Sequence, residues 1–284
     1  MIRPELQKKI DQSIRLLRQA QQAYPDEQIE LSYSGGKDSD VILQLAKEAG
    51  INFIPIYKNT TIDPPGTLKH VKSRGGGVEI INPKKSFFEL IKERGLPTRH
   101  RRFCCEVLKE YKVKNIAIHG IRRSESYKRA ERYKEPQVCR TYRKNEKVKI
   151  FYPILNWTDE DVFEFIADRE ITLAPVYYDD KGDIDVKKRL GCLGCPLSSK
   201  SNRISQFQKN PNILKGYVRS LRIYRENHQD SKSVKSFSNE YEQIVFDIFY
   251  DSKEEFELAM NGMFDKPDCK KFLESYFGIS FDSK

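Results

Sequence analysis

The feature that most constrains the fold is a glycine-rich loop, Ser-Gly-Gly-Lys-Asp-Ser, at residues 34–39. The pattern before it, at residues 28–33, is that of a strand, and the apolar residues after it recur at helical spacing until Gly50. A strand, a glycine-rich turn and a helix in this order expose backbone N–H groups and a helix dipole, which bind phosphate. The loop lacks the spacing of the Walker motif, which excludes a P-loop kinase or GTPase. The sequence therefore predicts a phosphate-binding loop, with an ordinary strand-to-helix turn as the alternative.

Strand and helix patterns alternate after this loop. Strands are predicted at residues 53–57, 78–81 and 115–119, and a capping box at residues 86–89 predicts a helix that ends at Gly95. This alternation predicts an α/β fold with a doubly wound, mostly parallel sheet, in which ligands lie at the carboxyl ends of the strands. From about Ile204 onward the pattern is helical. We expect a nucleotide-binding domain over residues 1–200 and a helical C-terminal region over residues 201–284.

The composition narrows the class of partner. Lys and Arg number 51 against 41 Asp and Glu, so the formal charge is +10, which favours polyanions such as nucleotides or nucleic acid without specifying one. The N-terminal residues show no apolar stretch of the kind that a signal peptide requires, and no segment is typical of a membrane span. These observations predict a cytoplasmic protein that does not enter a membrane. The oligomeric state is left open.

The six cysteines favour metal, cluster or redox chemistry over a disulfide scaffold. Four of them form two close pairs, and such pairs suit thiolate ligation of an iron–sulfur cluster or of zinc. The four candidate ligands are Cys104, Cys105, Cys192 and Cys195. The adjacent pair favours the cluster, because zinc motifs separate paired ligands by two to four residues. Zinc and simple buried thiols remain as alternatives.

Several segments carry a resemblance to a known family. Residues 34–39 resemble the PP-loop of ATP pyrophosphatases and sulfonucleotide reductases. Residues 120–126 resemble the Gly-x-Arg-x-x-Glu-Ser segment, and residues 153–162 the Pro-Leu-x-x-Trp-Thr-x-x-Asp-Val helix start, of the phosphoadenosine-phosphosulfate reductase family. The resemblance runs from residue 29 to residue 196. It implies an adenine nucleotide alpha-hydrolase-like, Rossmann-like fold, and it implies that the paired cysteines hold a [4Fe–4S] cluster.

The resemblance also implies the roles of individual residues. Lys37 and the loop amides would hold a departing pyrophosphate, Asp38 would help to hold Mg²⁺, and Arg122 would neutralise phosphate or sulfate oxygens. These three are the predicted catalytic residues. The predicted nucleotide-binding residues are Ser34, Gly35, Gly36, Lys37, Asp38, Ser39, Gly120, Arg122, Glu125 and Arg129. Trp157 and Thr158 are expected to be structural, as a core anchor and a helix cap.

One departure from the family bears on mechanism. Sulfonucleotide reductases end in a mobile Glu-Cys-Gly-Leu/Ile-His segment that supplies the attacking thiolate, and residues 276–284 contain no cysteine. Cys139 and Cys269 are the remaining thiols, and we expect Cys269 to be a buried or idle one.

The preferred hypothesis is therefore an enzyme that binds ATP or a related adenine nucleotide and cleaves it between the α and β phosphates. The cleavage would activate an acceptor in sulfur transfer or nucleic-acid modification, with a sulfur-donor protein or nucleic acid as a partner. The first alternative is an adenylylsulfate or phosphoadenylylsulfate reductase that uses a thiol outside the family motif. The second is a nucleotide-sensing subunit of a larger complex.

Overall fold

The computed structural model describes residues 2–74, 77–142, 146–261 and 267–282. The chain divides into two compact units: residues 1–83 with 106–191, and residues 84–105 with 192–284. Each unit draws on two separate stretches of the chain. The domain boundary expected near residue 200 stays a prediction.

The first unit contains a six-stranded sheet, and helices cover both of its faces. The strands are β1 (Ile29–Ser32), β2 (Phe53–Lys58), β3 (Glu79–Ile81), β4 (Ile116–Ile118), β5 (Gln137–Thr141) and β6 (Lys147–Phe151). Their order in the sheet is β3-β2-β1-β4-β6-β5, and every pairing is parallel except that of β5 with β6. The predicted doubly wound, mostly parallel α/β sheet is thus confirmed. Strand order reverses at β1, which is where such sheets bind ligands.

The first unit also contains helices. They are α1 (Pro4–Ala23), α2 (Lys37–Ala49), α3 (Thr67–Ser73), α6 (Tyr127–Arg132) and α7 (Asp159–Asp168). Leu6, Ile10 and Leu17 are fully buried at helical spacing along α1. Gly50 ends α2 in the left-handed region, as the sequence predicted.

The expected structural roles of Trp157 and Thr158 are both present. Trp157 is buried and its ring lies edge-to-face on Phe165 with centroids 5.4 Å apart. The Thr158 side chain accepts a hydrogen bond from the Asp161 backbone N–H, and the Asp161 carboxylate accepts from the Thr158 N–H. This reciprocal cap fixes where α7 begins, and so places Asp159 in its first turn.

The second unit is helical in its C-terminal stretch. Its helices include α4 (Phe87–Arg94), α8 (Lys200–Lys209), α9 (Pro211–Asn227), α10 (Lys232–Lys235), α11 (Glu240–Phe249), α12 (Lys253–Asn261) and α13 (Cys269–Phe277), and α5 (Phe103–Leu108) begins in this unit. The predicted capping box opens α4, and Gly95 follows its last residue. Gly216 lets α9 approach α4 closely, because a Cβ there would lie 2.5 Å from the ring of Phe88. In the described part of the chain, no helix is both long and apolar enough to cross a membrane.

Candidate active site

The glycine-rich loop joins β1 to α2, with Gly36 as the N-cap residue, which has no side chain of its own to cap the first turn. Gly35 has a φ of +74°, where a side chain would be strained, and a Cβ there would lie 3.2 Å from Val71. The Ser39 hydroxyl donates to the Gly36 carbonyl at 2.7 Å and holds the turn closed. The first N–H groups of α2 therefore point out of the helix at its positive end, as an anion-binding loop requires.

Four charged side chains form a network behind this loop, which we call the loop quartet: Lys37, Asp38, Arg122 and Asp159. Lys37 Nζ lies 3.0 Å from Asp38 Oδ2 and 3.5 Å from Asp159 Oδ1. Arg122 Nε lies 2.6 Å from Asp38 Oδ1, and its Nη2 lies 2.7 Å from Asp159 Oδ1. Two cations face two carboxylates, so the quartet carries no net charge.

The two cations of this network are buried. Arg122 is completely buried and Lys37 is 2% exposed. Although partial burial opposes it, the hydrogen bonds and charges of Arg122 and Lys37 lower the pKa of Asp159, which keeps this carboxylate ionised. Arg122 also donates to the Ser124 hydroxyl at 2.9 Å. Arg122 therefore connects the loop to the segment after β4 and to α7.

A cavity of about 360 Å³ opens beside the loop within the first unit. Its walls come from the loop, the segment after β4 and residues 177–190. The residues that line it include Ser34, Gly36, Lys37, Asp38, Ser39, Gly120, Glu125, Arg129, Tyr177, Arg189 and Leu190. Most of the predicted nucleotide-binding residues therefore border one space. Gly35 and Arg122 lie behind its surface. Gly120 allows a close approach, because a Cβ there would lie 3.0 Å from the Asp38 carbonyl oxygen.

Two arginines at this cavity share a single carboxylate. Arg129 pairs with Glu125 Oε2, and Arg189 Nη2 lies 3.5 Å from Glu125 Oε1. Burial and the charge of Arg189 lower the pKa of Arg129. Two guanidinium groups against one carboxylate leave an excess positive charge at the cavity wall.

The structure adds residues that sequence reasoning did not select as functional. Asp159, Tyr177, Arg189 and His119 all contribute to the quartet or to the cavity lining. Burial, together with the charges of Lys58 and Arg140, lowers the pKa of His119 to about 3, so its ring is neutral at the cavity wall. Asp159 was visible in the helix-start motif, but only its contact with Arg122 reveals a role in the site.

The four paired cysteines all belong to the second unit. Cys104 and Cys105 lie on α5, and the Cys195 N–H donates to the Cys192 carbonyl at 3.3 Å in a tight turn. A hydrogen bond with Cys105, burial, and the charges of Cys105 and Cys192 raise the pKa of the Cys104 thiol. Cys104 therefore interacts with Cys105 and with Cys192. Across the described residues, however, no group of three or more His, Cys, Asp or Glu side chains is arranged to hold a metal ion.

The other two cysteines differ in exposure. Cys139 is exposed on the edge strand β5. Cys269 is buried at the start of α13, with its sulfur 4.0 Å from Met260 Sδ, in agreement with the expectation of a buried thiol.

A parallel sheet whose first strand leads through a Ser-Gly-Gly-Lys-Asp-Ser loop into a helix defines the PP-loop class of α/β proteins. Residues 28–198 match the model of the phosphoadenosine phosphosulfate reductase domain, and the chain belongs to this family.

Its curated relatives include two uncharacterized proteins of Methanocaldococcus jannaschii, each 28% identical. The matches cover 69% and 70% of this chain but 48% and 42% of the relatives, so the chain spans about half of their length. A sulfate adenylyltransferase subunit 2 of Alkalilimnicola ehrlichii is 29% identical over 51% of this chain and 59% of the relative.

Two solved structures are similar at low identity. The phosphoadenylyl-sulfate reductase of Candida auris has a TM-score of 0.42 and 15% identity over 65% of this chain and 96% of that chain. A tRNA thiolase of Methanococcus maripaludis with its [4Fe–4S] cluster has a TM-score of 0.42 and 18% identity over 78% of this chain and 80% of that chain. The family assignment rests on the sequence match over residues 28–198.

Proposed function

We propose that this protein is an enzyme that binds ATP or a related adenine nucleotide at residues 34–39 and cleaves it between the α and β phosphates. The observation that carries the proposal is the N-terminus of α2, which begins after a glycine and opens on a cavity of about 360 Å³. An acceptor oxygen would attack the α phosphorus, the bond to the β phosphate would break, and pyrophosphate would leave. The acceptor would thereby become an adenylate, in sulfur transfer or nucleic-acid modification.

Charge at the cavity supports a polyanionic ligand. The loop quartet is neutral, so its Lys37 and Arg122 shape the loop while contributing little net attraction. The excess positive charge comes from Arg129 and Arg189, which share Glu125. Together with the amides of α2, these arginines would bind and orient the phosphates, so that catalysis is mainly positioning and electrostatic stabilisation.

Mg²⁺ is expected to enter as part of the nucleotide substrate. Both carboxylate oxygens of Asp38 already accept from cations, Oδ1 from Arg122 and Oδ2 from Lys37. Asp38 would have to give up one of these ion pairs to bind a metal ion directly, so we assign the metal to the phosphate oxygens.

We further propose that Cys104, Cys105, Cys192 and Cys195 hold a [4Fe–4S] cluster, with zinc as the alternative. Support comes from the interaction of Cys104 with Cys105 and with Cys192, because a positively charged centre stabilises neighbouring thiols as thiolates. A bound cluster would supply electron transfer or a site for sulfur. The protein would supply the four thiolate ligands from two cysteine pairs, both of which belong to the second unit.

The direct test is to measure pyrophosphate release from ATP on anaerobically purified protein, in parallel with sulfite release from both sulfonucleotides. Metal-dependent pyrophosphate release that increases with candidate acceptors is the expected result. Absence of nucleotide binding by the intact protein would refute the proposal.

A second candidate function is the reduction of a sulfonucleotide, because Cys139 is an exposed thiol on an edge strand. In that reaction a thiolate attacks the sulfur of the sulfonucleotide, and the nucleoside phosphate leaves as the S–O bond breaks. An external dithiol then releases sulfite from the resulting S-sulfonate and becomes a disulfide. Sulfite release with thioredoxin that is abolished by Cys139→Ser or Cys269→Ser would establish the reductase. Without such turnover, the adenylyl-transfer proposal stands.

A further inference from the structure

The hydroxyl of Tyr177 is seated directly at the start of α2. It accepts a hydrogen bond from the Lys37 backbone N–H at 3.0 Å and one from the Leu190 N–H at 3.4 Å. Lys37 is the first residue of the helix, so this N–H is one that an anion would otherwise meet. Gly36 makes room for the contact, because a Cβ there would lie 3.3 Å from the Tyr177 hydroxyl oxygen.

Both contacts use the hydroxyl oxygen as an acceptor, which leaves its proton to be donated. In the described part of the chain, no group accepts a hydrogen bond from the Tyr177 hydroxyl. The hydroxyl borders the cavity, where a ligand oxygen would be in reach. Burial raises the pKa of Tyr177 to about 12 against the opposing effect of the two amide contacts, so the group keeps its proton at neutral pH.

The ring of Tyr177 is fixed in place. It is 3% exposed and forms part of the core of the first unit. The Tyr177 carbonyl accepts from the Asp185 N–H at 2.8 Å, and its own N–H donates to Ala174 at 3.0 Å. A side chain anchored in this way stays at the loop when a ligand arrives, because moving it would expose a buried aromatic ring.

From this geometry we propose that the Tyr177 hydroxyl is a phosphate-binding group: it donates a hydrogen bond to a phosphoryl oxygen of the ligand while its oxygen holds the Lys37 and Leu190 amides. The α2 N-terminus thus recognises phosphate through the tyrosine as well as through its own N–H groups. This inference rests on the proposed nucleotide-binding function. It adds the residue that would distinguish phosphorylated ligands from the bare nucleoside.

The test compares Tyr177→Phe with Tyr178→Phe in the full-length protein. Each change removes one hydroxyl that accepts a hydrogen bond from a backbone N–H, because the Tyr178 hydroxyl accepts from the Leu173 N–H at 3.0 Å. The two residues differ in that Tyr178 does not line the cavity. Binding of ATP, pyrophosphate and adenosine is measured by calorimetry. We expect Tyr177→Phe to weaken ATP and pyrophosphate binding by roughly tenfold or more, as for other hydrogen bonds to charged groups, and to leave adenosine binding unchanged. Tyr178→Phe should bind all three as the parent does.

The outcomes separate this inference from the proposed function. Equal or tighter ATP binding by folded Tyr177→Phe would overturn the inference alone, and tighter binding would mean that the hydroxyl blocks the loop. A parent that binds no adenine nucleotide would overturn both. If Tyr177→Phe does not fold, the parent carrying 3-fluorotyrosine at position 177 is titrated with pyrophosphate instead. Its fluorine resonance is expected to shift, and an unchanged resonance would overturn the inference.

Discussion

Lys37 lies between two carboxylates, and its charge affects both stability and binding. Replacing it by alanine leaves Asp38 and Asp159 with only Arg122 as a partner, so the quartet acquires a negative charge next to the proposed phosphate-binding loop. For Lys37→Ala we expect a loss of about 1–3 kcal/mol in the free energy of unfolding, the usual cost of a buried charged group that loses its partner. ATP binding should weaken by roughly tenfold or more, because the loop loses the side chain that shapes it and an unpaired negative charge repels the phosphates.

Urea denaturation and calorimetry measure the two effects separately. Lys47→Ala is the matched control, since Lys47 is exposed near the end of the same helix. An ATP affinity of Lys37→Ala equal to that of the parent would contradict a phosphate-binding role for the loop.

Arg189 differs from Lys37 because more than half of its side chain is exposed. We expect Arg189→Gln to leave stability unchanged and to weaken ATP binding by up to about fivefold, the scale of an exposed ion pair. The salt dependence of ATP binding should also decrease, because a positive charge at the cavity has been removed. Titration at two salt concentrations, with exposed Lys187→Gln as the control on the same segment, tests this. Identical salt dependence in both variants would show that Arg189 does not face the ligand.

At the scale of elements, the turn into α2 and the turn out of it both use a glycine in the left-handed region, Gly35 with φ +74° and Gly50 with φ +67°. Alanine at either position should cost about 1–2 kcal/mol through backbone strain. Only Gly35→Ala also crowds Val71 and disturbs the loop. We expect both variants to have lowered melting temperatures, but only Gly35→Ala to lose nucleotide affinity. Loss of nucleotide affinity in Gly50→Ala would indicate that backbone strain at either end of α2 is sufficient to weaken nucleotide binding.

Elements with strong local signals were predicted correctly from the sequence. The glycine-rich turn, the capping box at residues 86–89, the helix cap at Thr158, and the glycines after α2 and α4 act through neighbours in the chain. Their geometry therefore follows from local sequence. The hairpin of β5 and β6 was not predicted. β5 is an edge strand with mostly exposed side chains, and its position depends on hydrogen bonds to β6 rather than on an apolar pattern.

For the whole molecule, the sharpest prediction concerns the paired cysteines. Anaerobically purified parent protein should be brown and should contain about four iron and four acid-labile sulfide per chain, as a [4Fe–4S] centre requires. Cys192→Ser should lose both, whereas Cys139→Ser should retain them because Cys139 belongs to the other unit. Metal analysis, sulfide assay and electron paramagnetic resonance provide the readout. Stoichiometric zinc without iron in the parent would refute the cluster and support the alternative.

Some properties followed from the sequence alone: the glycine-rich loop between a strand and a helix, the mostly parallel α/β class, the helical C-terminal stretch and the family. They are encoded in short motifs and in periodic patterns that any chain segment carries by itself. The partners of the loop required the tertiary structure. Asp159 closes the quartet and Tyr177 meets the first amide of α2, although each is more than a hundred residues from Lys37 in the chain. Folding alone brings such residues together, because the carboxyl ends of the parallel strands converge on one edge of the sheet.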